Sequence, residues 1–197
     1  MSNSPKNDGV GAMIKLGLVL AIYAAVSCAV LAVVNNVTSP VIAQNQINKA
    51  NAAMKSVFAD ADSFDKVTDF NAPGGTIKIE AVYLAKKAGK TIGGAAQVSG
   101  PTYDQGTIIV GLGTDGIVTG MHVLKNTDSP GFGQKAGDPN FKLSNGKTFY
   151  GQFEGKNAKD GFVANETFDA ISGATISSNA IKSCVAQAIE LAGGNPA

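Results

Sequence analysis

The sequence predicts an α+β fold, in which an antiparallel β-sheet with flanking helices follows one N-terminal transmembrane helix. Three observations support this prediction. An uncharged apolar run stands near the N-terminus, segments of alternating apolar residues with glycine-rich turns fill the middle, and a segment of helical periodicity lies near the C-terminus. These patterns are typical of a membrane helix, of half-buried strands and of an amphipathic helix, respectively.

The first element is the apolar run Leu16–Val34, nineteen residues without a charge. As a helix rising about 1.5 Å per residue, it is long enough to cross a hydrocarbon core of roughly 30 Å. We therefore expect a cytoplasmic tail over residues 1–12 and a transmembrane helix over residues 13–35. Lys6 and Lys15 precede the run, which predicts a cytoplasmic N-terminus with the rest of the chain outside the membrane.

Two alternatives exist for the same run. It could be a cleaved signal peptide with Ala29–Ala32 as the small-residue cleavage site, or a lipoprotein signal with Cys28 as the lipidated residue. Apolar residues continue beyond both sites, and Ala25 stands where a lipoprotein signal has leucine. A retained anchor is therefore the preferred interpretation.

A stalk helix is expected next, over residues 36–60. Ser39 followed by Pro40 is typical of a helix cap and first turn. Apolar residues then recur at spacings of four and three, which predicts one narrow apolar stripe: Ala43, Ile47, Ala50, Met54 and Val57.

Residues 61–197 are expected to form the extracytoplasmic domain. Thr76–Ala85 alternates with period two after a Pro-Gly-Gly turn, and Thr91–Val98 follows as a return strand. Two further β-rich runs are joined at Asp115–Gly116, a two-residue hairpin signal. The sheet is therefore expected to be antiparallel.

The C-terminal part is predicted to be a long loop region and then a helix. Residues 125–161 are rich in turn residues, whereas Ile176–Leu191 has apolar residues on one face. Gly193–Gly194 is expected to end this helix.

The composition excludes several classes of protein. The 197-residue chain has a net charge of +1, and its sixteen basic residues are all lysine, which argues against nucleic-acid binding. Cys28 lies in the apolar run and Cys184 in the last helix, so no disulfide is expected and Cys184 is predicted to be a small buried residue. His122 is the only histidine and is predicted to be an ordinary strand residue, so no histidine-based metal cluster or catalytic triad is expected.

The start of the last helix is the strongest candidate site. Hydroxyl and small residues cluster there, at Ser172, Gly173, Ala174, Thr175, Ser177 and Ser178. The first backbone N–H groups of a helix lack partners and favour an anion. A simple cap by Thr175 explains the hydroxyls, but it leaves the two small residues without a role.

The segment Ser172–Thr175, preceded by Asp169, resembles the flavinylation motif of the FMN-binding domain in Rnf and Na⁺-pumping NADH:quinone oxidoreductase complexes. The resemblance implies that Thr175 carries FMN through a phosphoester bond, installed by a flavin transferase. A second segment, Thr127–Gly133, is similar to the family's Pro-Gly loop, with Asp128 and Ser129 in place of its usual Glu-Thr and Phe132 in place of its leucine.

On this resemblance, we expect the FMN site to include Ser172, Gly173, Ala174, Thr175, Ser177, Ser178, Asp128, Ser129, Pro130, Gly131 and Phe132. Length and organisation are similar to the G subunit of Rnf, which implies an electron-transfer protein within an ion-translocating ferredoxin:NAD⁺ oxidoreductase. Its partners would be the other membrane subunits and the flavin transferase, its location the cytoplasmic membrane, and no residue would be catalytic by itself.

Three other interpretations stay open. The chain could be the corresponding subunit of the Na⁺-translocating NADH:quinone oxidoreductase, or an anchored binding or assembly module without a cofactor. It could also be an anchored enzyme with a hydroxyl nucleophile, but Tyr103–Asp104, in a Gly/Pro-rich loop, and the other polar loop residues supply no evident base. Tyr103 itself is predicted to lie in an ordinary loop.

Overall fold

The computed structural model describes residues 8–70, 75–162 and 166–193. It has an N-terminal helix, a five-stranded sheet, three short 3₁₀ helices and a C-terminal helix. The helices are α1 (Asp8–Val57) and α2 (Thr175–Gly193), and the strands are β1 (Ser63–Val67), β2 (Lys78–Lys87), β3 (Lys90–Gly100), β4 (Gly106–Gly113) and β5 (Val118–Asn126). The α+β prediction, with an antiparallel sheet and flanking helices, is therefore confirmed.

The chain divides into two compact units, Met1–Ile47 and Asn48–Ala197. Within the described residues, the first unit is helical throughout and its side chains are exposed. The segment Gly9–Val57 of α1 is the one described helix long and apolar enough to cross a membrane. The apolar run that predicted a membrane helix therefore lies in a helix with no protein core around it.

Helix α1 does not restart at Ser39, so the prediction that Ser39–Pro40 begins a helix was wrong. Pro40 lies inside α1. The hydroxyl of Ser39 donates to Oδ1 of Asn35 at 3.4 Å and caps no backbone N–H. The residue pair is common at helix starts, but a proline is also found inside long helices at the loss of one backbone hydrogen bond.

The second unit is built on an antiparallel meander in the order β1-β2-β3-β4-β5. The predicted hairpin at Asp115–Gly116 is confirmed: the N–H of Gly113 donates to the carbonyl of Ile117 at 2.9 Å, and Gly116 has a φ of +79°. The turn at Pro73–Gly74 and the helix stop at Gly194 lie outside the described residues.

The two faces of the sheet bury separate cores. One face packs on α2, with Val98, Val110 and Ile181 at most 1% exposed. The opposite face packs on the last turn of α1, where Val57 lies beside β4. This alternation is the period-two pattern of a strand with both faces covered.

Gly111 of β4 shows how closely the last turn of α1 approaches the sheet. A β-carbon at Gly111 would overlap Val57 and come within 2.8 Å of the Phe58 ring. A residue with a side chain would therefore displace the end of α1 from the sheet.

Candidate functional site

A cavity of about 480 Å³ lies at one end of the second unit, where three chain segments meet. Tyr103 comes from the loop after β3, a second group of residues from the loop after β5, and a third from the start of α2. The lining consists of Tyr103, Asp128, Ser129, Phe132, Gly133, Gly173, Ala174, Thr175, Ile176 and Ser177. Pockets that bind small molecules typically have volumes of about 300–1,000 Å³.

Three large apolar side chains around this cavity are exposed to solvent. Tyr103 is 70% exposed, Ile176 63% and Phe132 55%, and they are the exposed large hydrophobic residues that the described part of the second unit contains. All three line the same cavity. An exposed apolar cluster around a concave surface is typical of a ligand site.

Thr175 is the first residue of α2 and is exposed at the cavity. The carbonyl of Ala174 accepts the first helical hydrogen bond, from the N–H of Ser178 at 2.9 Å, so alanine occupies the cap position. The hydroxyl of Thr175 is therefore not the helix cap. Gly173, with a φ of +75°, forms the turn that directs the chain into α2.

Ser178 faces the core instead of the cavity. Its hydroxyl accepts a hydrogen bond from the N–H of Ile171 at 3.0 Å and donates to the carbonyl of Ala174 at 2.9 Å. It is fully buried and is absent from the cavity lining. The expectation that Ser178 contacts a cofactor is therefore contradicted: its role is to fix the turn that precedes Thr175.

Asp128 is a carboxylate buried in the cavity wall, with 1% of its surface exposed. Its Oδ1 accepts hydrogen bonds from the hydroxyl of Thr102 at 2.5 Å and from the N–H of Asp104 at 2.8 Å. Among the described residues no donor forms a well-aligned hydrogen bond with its Oδ2, although the hydroxyl of Ser177 lies nearby. One carboxylate oxygen is therefore left for a partner outside the protein.

Asp128 is ionised at neutral pH. Burial acts to raise the pKa of its carboxyl, but the neighbouring donors Ser177, Thr102 and the backbone of Asp104 and Tyr103 outweigh burial, and the pKa lies below the ordinary value of 3.8. The cavity wall thus holds a negative charge beside the start of α2.

Gly133 and Gly173 make room for the loops to meet. A β-carbon at Gly133 would lie 2.5 Å from Oγ of Ser177 and 2.7 Å from Cβ of Asp128. At Gly173 it would lie 3.4 Å from two ring atoms of Phe132. The two loops are therefore in contact through glycine at both places.

The structure brings together seven of the eleven residues predicted from the sequence. The cavity is lined by Gly173, Ala174, Thr175, Ser177, Asp128, Ser129 and Phe132. Ser172 and Pro130 are exposed outside the lining, and Gly131, with a φ of +79°, forms the turn before Phe132. These three residues shape the two loops from outside the cavity.

Sequence reasoning undervalued Tyr103 and missed Ile176. The loop of Tyr103 is not an ordinary one, since its ring is a wall of the cavity. Ile176 had a usable signal, because it lies on α2 but is exposed, away from the buried Ile181 and Val185. Gly133 was noted within its loop, but its contact with Asp128 and Ser177 depends on the tertiary structure.

Two other singled-out residues lie away from this cavity. Cys184 is 3% exposed, as predicted, and burial raises the pKa of its thiol to about 11. His122 lies in β5 with its ring 5.6 Å from that of Tyr150, and burial lowers its pKa below 6.5. In the described ranges, no group of three or more His, Cys, Asp or Glu residues could hold a metal ion.

Two family models match this chain: an FMN-binding domain over residues 103–190 and an RnfG N-terminal region over residues 1–57. The first match contains the whole cavity lining.

Characterised relatives match over most of their length, and each is the G subunit of a membrane complex. That of the Na⁺-translocating ferredoxin:NAD⁺ oxidoreductase complex of Acetobacterium woodii is 29% identical, over 90% of each chain. That of the proton-translocating ferredoxin:NAD⁺ oxidoreductase complex of Clostridium ljungdahlii is 29% identical, over 87% of this chain and 86% of that protein. That of the ion-translocating oxidoreductase complex of Erwinia tasmaniensis is 32% identical, over 87% and 85%.

Proposed function

Since this chain belongs to the family of G subunits of ion-translocating oxidoreductase complexes, we propose that it is the membrane-anchored electron-transfer protein of a ferredoxin:NAD⁺ oxidoreductase complex and carries FMN covalently on Thr175. The observation that supports this best is the position of Thr175 at a cavity walled by Tyr103, Phe132 and Ile176. An exposed hydroxyl beside an apolar cavity is suited to tether a flavin whose ring enters that cavity.

The residues around the cavity fit FMN. The rings of Tyr103 and Phe132 and the side chain of Ile176 offer apolar surface to a flat aromatic ring. Oδ2 of Asp128 is a buried acceptor without a protein donor among the described residues, and a ribityl hydroxyl or a ring N–H is a suitable donor. The free N–H groups at the start of α2 are suited to receive the phosphate.

The covalent bond has a physical reason in this chain. The usual bidentate clamp for a free phosphate is arginine, which this chain lacks. A phosphoester on Thr175 would keep the phosphate at the start of α2 and would replace binding energy that a basic cluster supplies elsewhere. Gly173 and Ala174 leave space next to the hydroxyl for the flavin transferase that would form the ester.

Bound FMN would supply the electron-transfer chemistry, and the protein would control its position and surroundings. Tyr103, Phe132 and Ile176 would hold the ring and exclude water from its faces. No residue of the chain is assigned an acid, base or nucleophile role in turnover.

The anchor determines where this would take place. We assign residues 1–12 to a cytoplasmic tail, 13–35 to a single membrane span, 36–60 to a stalk and 61–197 to an FMN domain outside the cytoplasmic membrane. In the structure the span and most of the stalk belong to one helix, α1. The other membrane subunits of the complex would contact this chain, and its flavin would relay electrons between them.

The experiment is a denaturing gel of the full chain, purified from cells that also make the flavin transferase. Yellow-green flavin fluorescence should survive denaturation in the wild type and disappear in Thr175→Ala. Ser172→Ala is the matched control, because it removes an exposed hydroxyl three residues away that lies outside the cavity lining, and it should stay fluorescent.

A dark wild-type band would contradict the covalent site and favour an anchored assembly module. Equal fluorescence in the wild type and in Thr175→Ala would place the attachment at another residue. Loss of fluorescence in Ser172→Ala alone would move the attachment site to Ser172.

A further inference from the structure

The cavity contains a buried carboxylate, Asp128, and none of its ten lining residues is a lysine. We propose that Asp128 makes this cavity selective for tethered flavin, because its negative charge disfavours the doubly charged phosphate of free FMN more than the singly charged ester on Thr175. This inference rests on the proposed function, in which the cavity binds the flavin ring.

The position of Asp128 is the first part of the argument. Its Oδ1 is held by Thr102 and Asp104, so the carboxylate cannot turn away from the cavity without losing both hydrogen bonds. Its Oδ2 lacks a well-aligned donor among the described residues, so its charge is not neutralised there.

Gly133 brings this charge close to the expected phosphate position. A β-carbon on Gly133 would lie within 2.7 Å of both Oγ of Ser177 and Cβ of Asp128, which shows that Asp128 lies beside the first turn of α2. The same turn begins at Thr175. An ion at the helix start is therefore near the carboxylate.

The charge on the phosphate decides the selectivity. A free phosphomonoester carries a charge of about −1.5 to −2 at neutral pH. Esterification to Thr175 replaces one ionisable oxygen by an ester bond and leaves a single negative charge. The start of a helix provides only about half a positive charge, which offsets part of the single charge of the ester but little of the second charge on free FMN.

A binding experiment separates the contribution of Asp128 from that of the flavin ring. In the full chain carrying Thr175→Val, which cannot form the ester, the affinities for riboflavin and for FMN are measured by flavin fluorescence anisotropy. Riboflavin has the ring without the phosphate and serves as the reference ligand. Adding Asp128→Asn should lower the ratio of the FMN to the riboflavin dissociation constant by about five- to tenfold, the size expected for one charge roughly 8 Å away near a protein surface.

Asp104→Asn in the same Thr175→Val background is the matched control. It removes one negative charge from the loop whose N–H contacts Asp128, but Asp104 is exposed to solvent. Its effect on the ratio should be less than about twofold, because water and salt screen an exposed charge.

An unchanged ratio in Asp128→Asn, or an equal change in Asp104→Asn, would overturn the inference. Failure of the Thr175→Val chain to bind either flavin would also overturn it, since the cavity would then have no ring affinity to modulate. If the wild type carries denaturation-stable flavin in these cases, the proposed function stands and only the role of Asp128 falls. A wild type without flavin would remove both.

Discussion

The side-chain amide of Gln152 forms two hydrogen bonds with the backbone of Asp169. The N–H of Asp169 donates to Oε1 of Gln152 at 2.7 Å, and Nε2 of Gln152 donates to the carbonyl of Asp169 at 3.1 Å. Gln152 is 2% exposed. Together with the hydroxyl of Ser178, which bonds Ile171 and Ala174, it fixes the segment before Thr175 at both ends.

Gln152→Ala should destabilise the protein, because it leaves a backbone N–H and a carbonyl of the Asp169 segment without a partner. We expect a loss of about 2–3 kcal/mol, a typical effect for unsatisfied buried polar groups. For a chain of this size, the melting temperature measured by circular dichroism should fall by roughly 4–12 °C.

Asn145→Ala is the control for Gln152. The side-chain amide of Asn145 donates to Oδ2 of the same Asp169 at 2.8 Å, but this contact is exposed. Water can replace such a bond, so the melting temperature should change by less than about 2 °C. Equal effects of the two substitutions would contradict the importance of the buried contact.

Phe132→Ala and Tyr103→Ala should each loosen the flavin ring without removing the flavin from Thr175. Both side chains line the cavity and are more than half exposed, so each loss removes stacking surface without opening the core. Base–aromatic stacking is worth about 1–3 kcal/mol, and a similar loss here would lower the anisotropy of the bound flavin.

The matched control is Phe141→Ala. Phe141 is an aromatic residue outside the lining of this cavity, with Nζ of Lys135 5.0 Å from its ring. It should leave the flavin anisotropy unchanged. The aromatic-wall interpretation fails if all three variants give the wild-type value.

Acidification below pH 6.5 should destabilise the protein through His122. Burial lowers the pKa of this ring in the folded state, so the unfolded chain binds the proton at a higher pH than the folded chain does. Stability should therefore begin to fall as the pH drops through about 6.5, and this loss should end below the folded-state pKa.

Because His122 is the only histidine, His122→Gln should flatten this dependence. Melting temperatures recorded between pH 7.5 and 5 for both proteins provide the measurement. An identical slope in the variant would assign the effect to other groups.

Local patterns determined much of this protein. The uncharged run of α1, the alternation in β2 and the Asp115–Gly116 turn each depend on residues that are neighbours in the chain, so their periods and turn residues could be read directly. The start of α2 was found within one residue for the same reason. The composition, with lysine alone as the strong base, indicated how a phosphate would be held.

The tertiary structure decided which residues share the cavity. Asp128 and Thr175 are 47 positions apart, and their proximity depends on the contacts of Gly133 with Asp128 and Ser177. Ser177 and Ser178 are adjacent hydroxyl residues in sequence, but a helix turns by about 100° per residue. One therefore lines the cavity, while the other fixes the turn from the core. Exposure and direction of a side chain depend on what packs against its element, and no local pattern contains that.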